Sequence, residues 1–328
     1  MGYIESAKYL SERFGGIVPS IVIVCGSGLS HLSGSLKNTQ TIKYNEIPGF
    51  CSTTVAGHSG ELVFGYLNGI CCVCLRGRFH YYEGNDMSQV VFPIRVMRLL
   101  GVKMMIATNA AGGLNENYSV GDVVCIQDHF GGPVMMGLSP LRGPNDPILG
   151  PRFPPVSDAF DEHLQNLVIE VAKKLKLSDQ LRLNGCYCFT SGPSYESMAE
   201  SKFLRSIGGD CVGMSTVPEV VAARHCGMKI MCLSIITNKV VLSRRKDTIH
   251  ASHEEVLEAA AKASQNVQSI VEELVQKSVI GKYLLDIPAA PSLESIIAKH
   301  NIDNNSNAAT LMVFGIAMPC ICSLIFNQ

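Results

Sequence analysis

Charge is scarce and balanced in this chain. Only 17% of its 328 residues are Asp, Glu, Lys or Arg, and the formal net charge is -1. No long basic run occurs, which argues against the Lys/Arg-rich face of a nucleic-acid surface. The start, Met1-Gly2-Tyr3-Ile4-Glu5, has no basic residues and no apolar stretch behind it, so no secretory leader is expected. Among the 13 cysteines no pair has zinc-ligand spacing. Most lie inside apolar runs (Cys25, Cys71, Cys72, Cys74, Cys125, Cys186, Cys188, Cys232) and read as small hydrophobes in a reducing, cytoplasmic compartment. Gly26-Ser27-Gly28 lacks the third glycine of a dinucleotide fingerprint. With 47% hydrophobic residues, wholesale disorder is excluded as well.

What is present is an alternation of strands and helices. Ile4, Ala7 and Leu10 have helical spacing, and Ile21-Val22-Ile23-Val24-Cys25 and Ile70-Cys71-Cys72-Val73-Cys74-Leu75 read as buried strands. Asn68-Gly69 predicts a hairpin, because both turn positions need positive φ. A helix over 91–100 starts near Pro93 and is closed by Gly101. Strands are predicted at 104–107, 122–126, 186–189 and 230–236, with a helix through Leu164, Leu167, Val168, Val171 and Leu175. Residues 130–157 read as a long ordered loop rich in Gly and Pro. Ser252-His253-Glu254-Glu255 is a capping box opening a helix to about residue 277. The expected fold is α/β, a single three-layer α/β/α domain with a central mixed sheet. Its expected bounds are 1–277, followed by a linker over 278–307 and an apolar tail over 308–328.

Chemistry concentrates where strands should end. Gly77-Arg78-Phe79-His80-Tyr81-Tyr82-Glu83-Gly84 places an arginine, a histidine, two tyrosines and a glutamate in one glycine-bounded loop. Arg and His together suit a small oxyanion, one offering a planar fork of donors and the other a tunable one. A surface Arg–Glu pair beside core aromatics is the plainer alternative. Gly26-Ser27-Gly28, Ala110-Ala111-Gly112-Gly113 and Gly213-Met214-Ser215-Thr216 are either anion-binding tips that expose backbone N–H groups or ordinary tight turns. Gly192-Pro193-Ser194-Tyr195-Glu196 sets an aromatic beside a carboxylate, and Thr237-Asn238-Lys239-Val240 ends a strand with an amide. A carboxylate and an amide together can read the edge of a purine, and a tyrosine offers it a face.

Taken in order, these segments resemble the trimeric purine nucleoside phosphorylases. The resemblance is carried by Cys25-Gly26-Ser27-Gly28-Leu29, Val55-Ala56-Gly57-His58, Gly77-Arg78-Phe79-His80 with Tyr82-Glu83-Gly84, and Thr108-Asn109-Ala110-Ala111-Gly112-Gly113. It continues through Pro140-Leu141-Arg142-Gly143-Pro144-Asn145-Asp146, Gly192-Pro193-Ser194-Tyr195-Glu196, Val212-Gly213-Met214-Ser215-Thr216-Val217-Pro218-Glu219 and Ile236-Thr237-Asn238-Lys239-Val240. The resemblance implies reversible phosphorolysis of inosine, guanosine and their deoxy forms to a purine base and (deoxy)ribose 1-phosphate, in purine salvage. Inorganic phosphate is then a co-substrate, with no cofactor and no metal. Phosphate would be held by Ser27, His58, Arg78, His80, Ser215 and the Ala110 N–H. Ribose would be held by Tyr82, the Met214 backbone and His253 at the 5′-hydroxyl. The base would lie against Tyr195, Val212 and Val240, with Glu196 and Asn238 on its edge, and Phe153 would close the site from the neighbouring subunit of a homotrimer. Asn238, Glu196, His80 and His253 form the expected catalytic set, with Asn238 donating to N7 of the leaving base and Glu83 orienting His80. The Glu196–Asn238 pair implies a preference for 6-oxopurines.

The chain departs from that pattern in places. Tyr195 stands where the family commonly has phenylalanine. Ser243-Arg244-Arg245-Lys246-Asp247 makes the loop before His253 unusually basic, and His250 is a rival for the 5′-hydroxyl. Residues 308–326 are apolar, uncharged and interrupted by Pro319, just long enough to span a bilayer. A membrane tail anchor, an extra segment packed on the trimer and an aberrant terminus all remain readings of that tail. The competing functions are a phosphorylase of broader purine or methylthioadenosine specificity and a catalytically silent scaffold. The presence of Arg78, His80 and Asn238 argues against the scaffold.

Overall fold

The structure, a computed structural model, describes residues 2–55, 57–243 and 252–299. Ala56, the basic run from Arg244 to Asp247, His250 and the apolar tail all lie outside the described residues. The chain divides into two compact units, Met1–Ala290 and Pro291–Gln328. In the second, residues 293–299 are helical, and Ser292 Oγ accepts from the Ser295 N–H at 3.2 Å. No helix among the described residues is long and apolar enough to cross a membrane.

The first unit opens with helix α1 (Gly2–Arg13) and continues through strands β1 (Ile21–Cys25), β2 (Lys37–Lys43), β3 (Glu61–Leu67) and β4 (Ile70–Arg76). Asn68 and Gly69, at φ 50° and 80°, join β3 to β4 in the predicted hairpin. Helices α2 (Met87–Val90) and α3 (Phe92–Leu99) follow, with Pro93 in the first turn of α3. Then come β5 (Met104–Gly113), β6 (Val123–Gly131), α4 (Gly132–Met135), α5 (Glu162–Lys174), β7 (Leu181–Phe189), α6 (Met198–Ser206), β8 (Cys211–Gly213), α7 (Val217–His225), β9 (Lys229–Lys239), α8 (His253–Leu274) and α9 (Lys277–Asp286).

The sheet is mixed. β1 pairs in parallel with β4 and β5, while β2, β3 and β4 form an antiparallel meander. Every residue of β1 is buried, as a strand covered on both faces requires. Among the helices, α3 packs against α1, α2 and α7, and α8 packs against α5 and α9. The polar strand β2 (Lys37-Asn38-Thr39-Gln40) takes the sheet edge, where exposed, charged side chains discourage further pairing.

Two features were not anticipated from sequence. β5 pairs with β8, β8 with β7, β7 with β6, β6 with β9, and β9 back with β5, so five strands close into a ring at one end of the sheet. Residues 110–113, expected as a tip, therefore extend β5: all four pair with β9, and Gly112 and Gly113 also pair with β8. Residues 278–286, expected as the start of a linker, form most of α9. Ile280 and Leu284 join the main core there, because their spacing presents one apolar face to it.

Candidate active site

Strand ends from both halves of the sheet converge on one cavity. It is lined by Ser27 after β1, by Arg78, His80 and Tyr82 after β4, by Ala110 of β5 and by Tyr195 and Glu196 after β7. Val212 of β8, Met214, Ser215, Asn238 of β9, His253 at the start of α8 and His58 also line it, as do Asn109 and Thr237. Gly26 permits this convergence. A Cβ there would sit 2.6 Å from the Thr108 carbonyl oxygen and 2.9 Å from Asn109 Cα.

Arg78 is almost wholly buried, at 3% exposure. Its Nη1 donates to Ser215 Oγ at 3.0 Å and to Thr216 Oγ1 at 2.8 Å, and its Nη2 donates to the Thr108 carbonyl. Glu219, in the first turn of the nearly fully buried helix α7, places Oε2 3.2 Å from Arg78 Nη1. Burial pushes the Glu219 pKa up, while the guanidinium draws it down. Thr216 lies between strand and helix at φ 70° and ψ -52°. The Val217 N–H donates to the Ser215 carbonyl at 2.8 Å, closing a tight three-residue turn. A β-branched residue in that conformation costs on the order of 1–3 kcal/mol.

Two histidines present neutral rings to the cavity. His58 Nδ1 lies 3.1 Å from the Arg78 backbone N and 3.3 Å from the Arg78 carbonyl oxygen, and Nε2 lies 3.2 Å from Ser27 Oγ. Burial, with help from His80 and Arg78, lowers the His58 pKa to about 3. His80 Nδ1 lies 2.8 Å from Glu83 Oε1, so the ring donates there and keeps Nε2 as an acceptor. Burial lowers the His80 pKa even against the pull of Glu83. Burial alone would raise the Glu83 pKa. Hydrogen bonds from His80 Nδ1, the Thr54 hydroxyl and N–H, and the His80 N–H overrule it and hold the value to about 2. Tyr82 stacks on His80 with ring centroids 4.6 Å apart, which fixes the ring plane.

At the other end of the cavity, Thr190 Oγ1 donates to Glu196 Oε1 at 3.0 Å and leaves Oε2 unclaimed by that contact. Burial raises the Glu196 pKa, so a donor arriving in the cavity would restore stability to its charge. Thr237 Oγ1 lies 3.2 Å from Asn238 Oδ1 and 3.3 Å from the Ala111 carbonyl oxygen, two acceptors for its one proton, and Asn238 Nδ2 is the donor the amide offers. Asn238 is in register with Gly112, where a Cβ would approach Nδ2 to 3.4 Å. His253 is the first residue of α8, mounted by the predicted box: Ser252 Oγ accepts from the Glu255 N–H at 3.2 Å.

Two expected residues lie elsewhere. Phe153 is 85% exposed on a loop and does not line this chain's cavity, with the Arg152 guanidinium 5.6 Å from its ring centroid. Val240 lies just past the end of β9, its side chain packs near the Leu114, Leu204 and Val212 cluster, and it borders a neighbouring hollow shared with Glu255 and Lys262. Thr216, Asn109 and Glu219 were missed. The signal for Glu219 was available: one carboxylate in the apolar run Val217-Pro218-Glu219-Val220-Val221 has to find a buried partner. Among the described residues no cluster of His, Cys, Asp or Glu has the makings of a metal site.

A model of the Phosphorylase superfamily matches residues 20–276. The chain is 48% identical over 274 residues to the purine nucleoside phosphorylase of Mus musculus, covering 84% of this chain and 94% of that protein. It is 46% identical over 268 residues to that of Saccharomyces cerevisiae, covering 77% and 86%. The crystal structure of Schistosoma mansoni purine nucleoside phosphorylase in complex with adenosine matches with a TM-score of 0.79 at 42% identity, over 84% of this chain and 96% of that one. A Schistosoma purine nucleoside phosphorylase in complex with guanosine matches equally well.

Proposed function

We infer the activity from membership: the chain belongs to the phosphorylase superfamily, with the purine nucleoside phosphorylases. Its reaction is phosphorolysis of a purine nucleoside to the free base and a pentose 1-phosphate. The observation that carries the residue roles is the pairing, in one cavity, of an anion cradle (Ser27, Arg78, Ser215) with a base-reading pair (Glu196, Asn238).

Phosphate, with about -1.5 to -2 charges near neutral pH, suits a buried guanidinium flanked by hydroxyls. In this reading His58 and Ser27 brace one side of the anion, the Ala110 N–H donates to another, and His80 Nε2 accepts from a protonated phosphate oxygen. Ribose lies over Tyr82 and Met214 with its 5′-hydroxyl at His253. The base rests against Tyr195 and Val212. As the glycosidic bond stretches, the sugar gains oxocarbenium character and the purine gains negative charge. Asn238 Nδ2 donates to N7 as that charge grows, a contact of the kind worth about 2.7–4 kcal/mol. Glu196 accepts from a ring N–H, which favours 6-oxopurines such as inosine and guanosine.

We also propose a homotrimer in which Phe153 reaches a neighbour's cavity. Its support is the exposure of Phe153 together with the bracing of its loop by Arg95 to the Pro140 carbonyl and by Arg224 to Asp158. A cytoplasmic setting accords with buried thiols such as Cys25, Cys72 and Cys74, all free. The domain is proposed to end with the first compact unit, in place of residue 277. The test is hypoxanthine release from inosine with and without phosphate, beside adenosine. Phosphate-dependent release that outruns adenosine supports the reading, whereas phosphate-independent release or none removes it.

A further inference from the structure

Thr216 is buried at 2% exposure and contacts no part of the base-reading pair, yet its hydroxyl is the junction of the anion cradle. Oγ1 accepts from Arg78 Nη1 at 2.8 Å and from Asn109 Nδ2 at 2.9 Å. A hydroxyl has two acceptor positions and one proton. With both positions filled, the Thr216 proton is left for Ser215 Oγ, 3.2 Å away. Ser215 Oγ also accepts from Arg78 Nη1 at 3.0 Å, so its own acceptor positions are filled in turn. The buried Tyr187 hydroxyl interacts with Ser215 and has no other hydrogen-bond partner, so it is the alternative acceptor for the Ser215 proton. An anion in the cavity offers that proton a charged acceptor, a stronger one than the neutral Tyr187 hydroxyl.

We propose that Thr216 is a positioning residue for phosphate: its hydroxyl sets the direction of a hydrogen-bond relay from Asn109 through Thr216 to Ser215, so that Ser215 meets the anion as a donor. The positive-φ turn serves the same end, carrying Ser215 from the end of β8 to the face of the Arg78 guanidinium before α7 begins. Asn109 supplies the head of the relay from β5, its Nδ2 also lying 3.6 Å from Cys232 Sγ. This inference rests on the proposed phosphate cradle and assigns a role to a residue outside it.

Three substitutions separate relay from shape. Thr216→Val keeps the volume and removes the hydroxyl. Thr216→Gly relaxes the positive φ and also removes it, and Thr216→Ser keeps it. Binding of inorganic phosphate to the full-length chain is measured by calorimetry, and the KM for phosphate and for inosine by steady-state kinetics. Val and Gly are expected to weaken phosphate binding about tenfold or more, with the inosine KM within about threefold of wild type. Ser is expected within about threefold on both measures. Unchanged phosphate binding in Val or Gly overturns the proposal, as does a Ser variant as weak as Val, or a wild-type chain that does not bind phosphate. Should Val fail to fold, Gly carries the comparison, since its backbone accepts the turn. Intact phosphate binding without turnover would remove the phosphorylase reading and leave this inference standing.

Discussion

Replacing Glu83 with glutamine isolates one charge that shapes the site. The carboxylate accepts from the Thr54 N–H at 2.8 Å, the Thr54 hydroxyl at 2.6 Å, the His80 N–H at 3.0 Å and His80 Nδ1 at 2.8 Å. These hold its pKa at about 2, against an ordinary value of 4.5. The difference sets a ceiling of about 3.4 kcal/mol, at about 1.36 kcal/mol per pH unit. Solvent screening of a partly exposed residue reduces this to roughly 2 kcal/mol. Because the folded value lies below the unfolded one, the contribution is complete above about pH 4.5 and is lost as pH falls through about 2. Urea denaturation of both proteins at pH 7, 5, 4 and 3 reads it directly. Glu83→Gln should be about 2 kcal/mol less stable at pH 7, with the gap narrowing steadily below pH 4.5. A gap that stays constant from pH 7 to pH 3, or no gap at pH 7, would refute the reasoning.

Other perturbations probe the rest of the cavity. His58→Gln should flatten the fall in stability between pH 6.5 and about 3, because the unfolded chain takes up that proton first while the folded ring stays neutral. Denaturation midpoints across that window, against wild type, measure it, and parallel curves would contradict it. Arg78→Met should destabilise by about 3–5 kcal/mol by stranding buried Glu219, and adding Glu219→Gln should recover a good part of the loss. A strictly additive double-mutant cycle would show that the two groups are not coupled. Asn238→Asp should admit 6-aminopurines by exchanging the Nδ2 donor for an acceptor. Continued rejection of adenosine by that variant would undo the specificity argument.

Local chemistry made much of this molecule legible in its sequence. The Asn68-Gly69 turn, the Pro93 and Gly101 punctuation of α3 and the Ser252–Glu255 box stand where short-range rules put them, because each depends on a few adjacent residues. Most expected cavity residues came together because glycines and small residues mark close backbone approach there. What stayed illegible depends on distant partners. Ring closure joins β5 to β9 and β6 to β9 across long stretches of chain, and no periodicity encodes that choice. The strands also ran longer than their apolar cores: β9 continues beyond Ile236 through polar Thr237 and Asn238, because pairing with β5 satisfies its backbone. Thr216 was unreadable for the opposite reason. Threonine disfavours positive φ, so only the contacts from Arg78 and Asn109 reveal why it is held there.

The closed ring of five strands has a kinetic consequence. A strand ring cannot be completed by local steps: Arg78 and Thr216 meet across 138 positions of chain, and β5 and β6 both pair with β9, far along the sequence. Such non-local topology slows folding, because loop-closure entropy is lost before the distant contacts form. The anion cradle straddles that closure, joining Arg78 after β4 to Ser215 and Thr216 after β8. Phosphate should therefore leave the early steps of refolding untouched while holding the finished ring shut, slowing unfolding and raising apparent stability with its concentration.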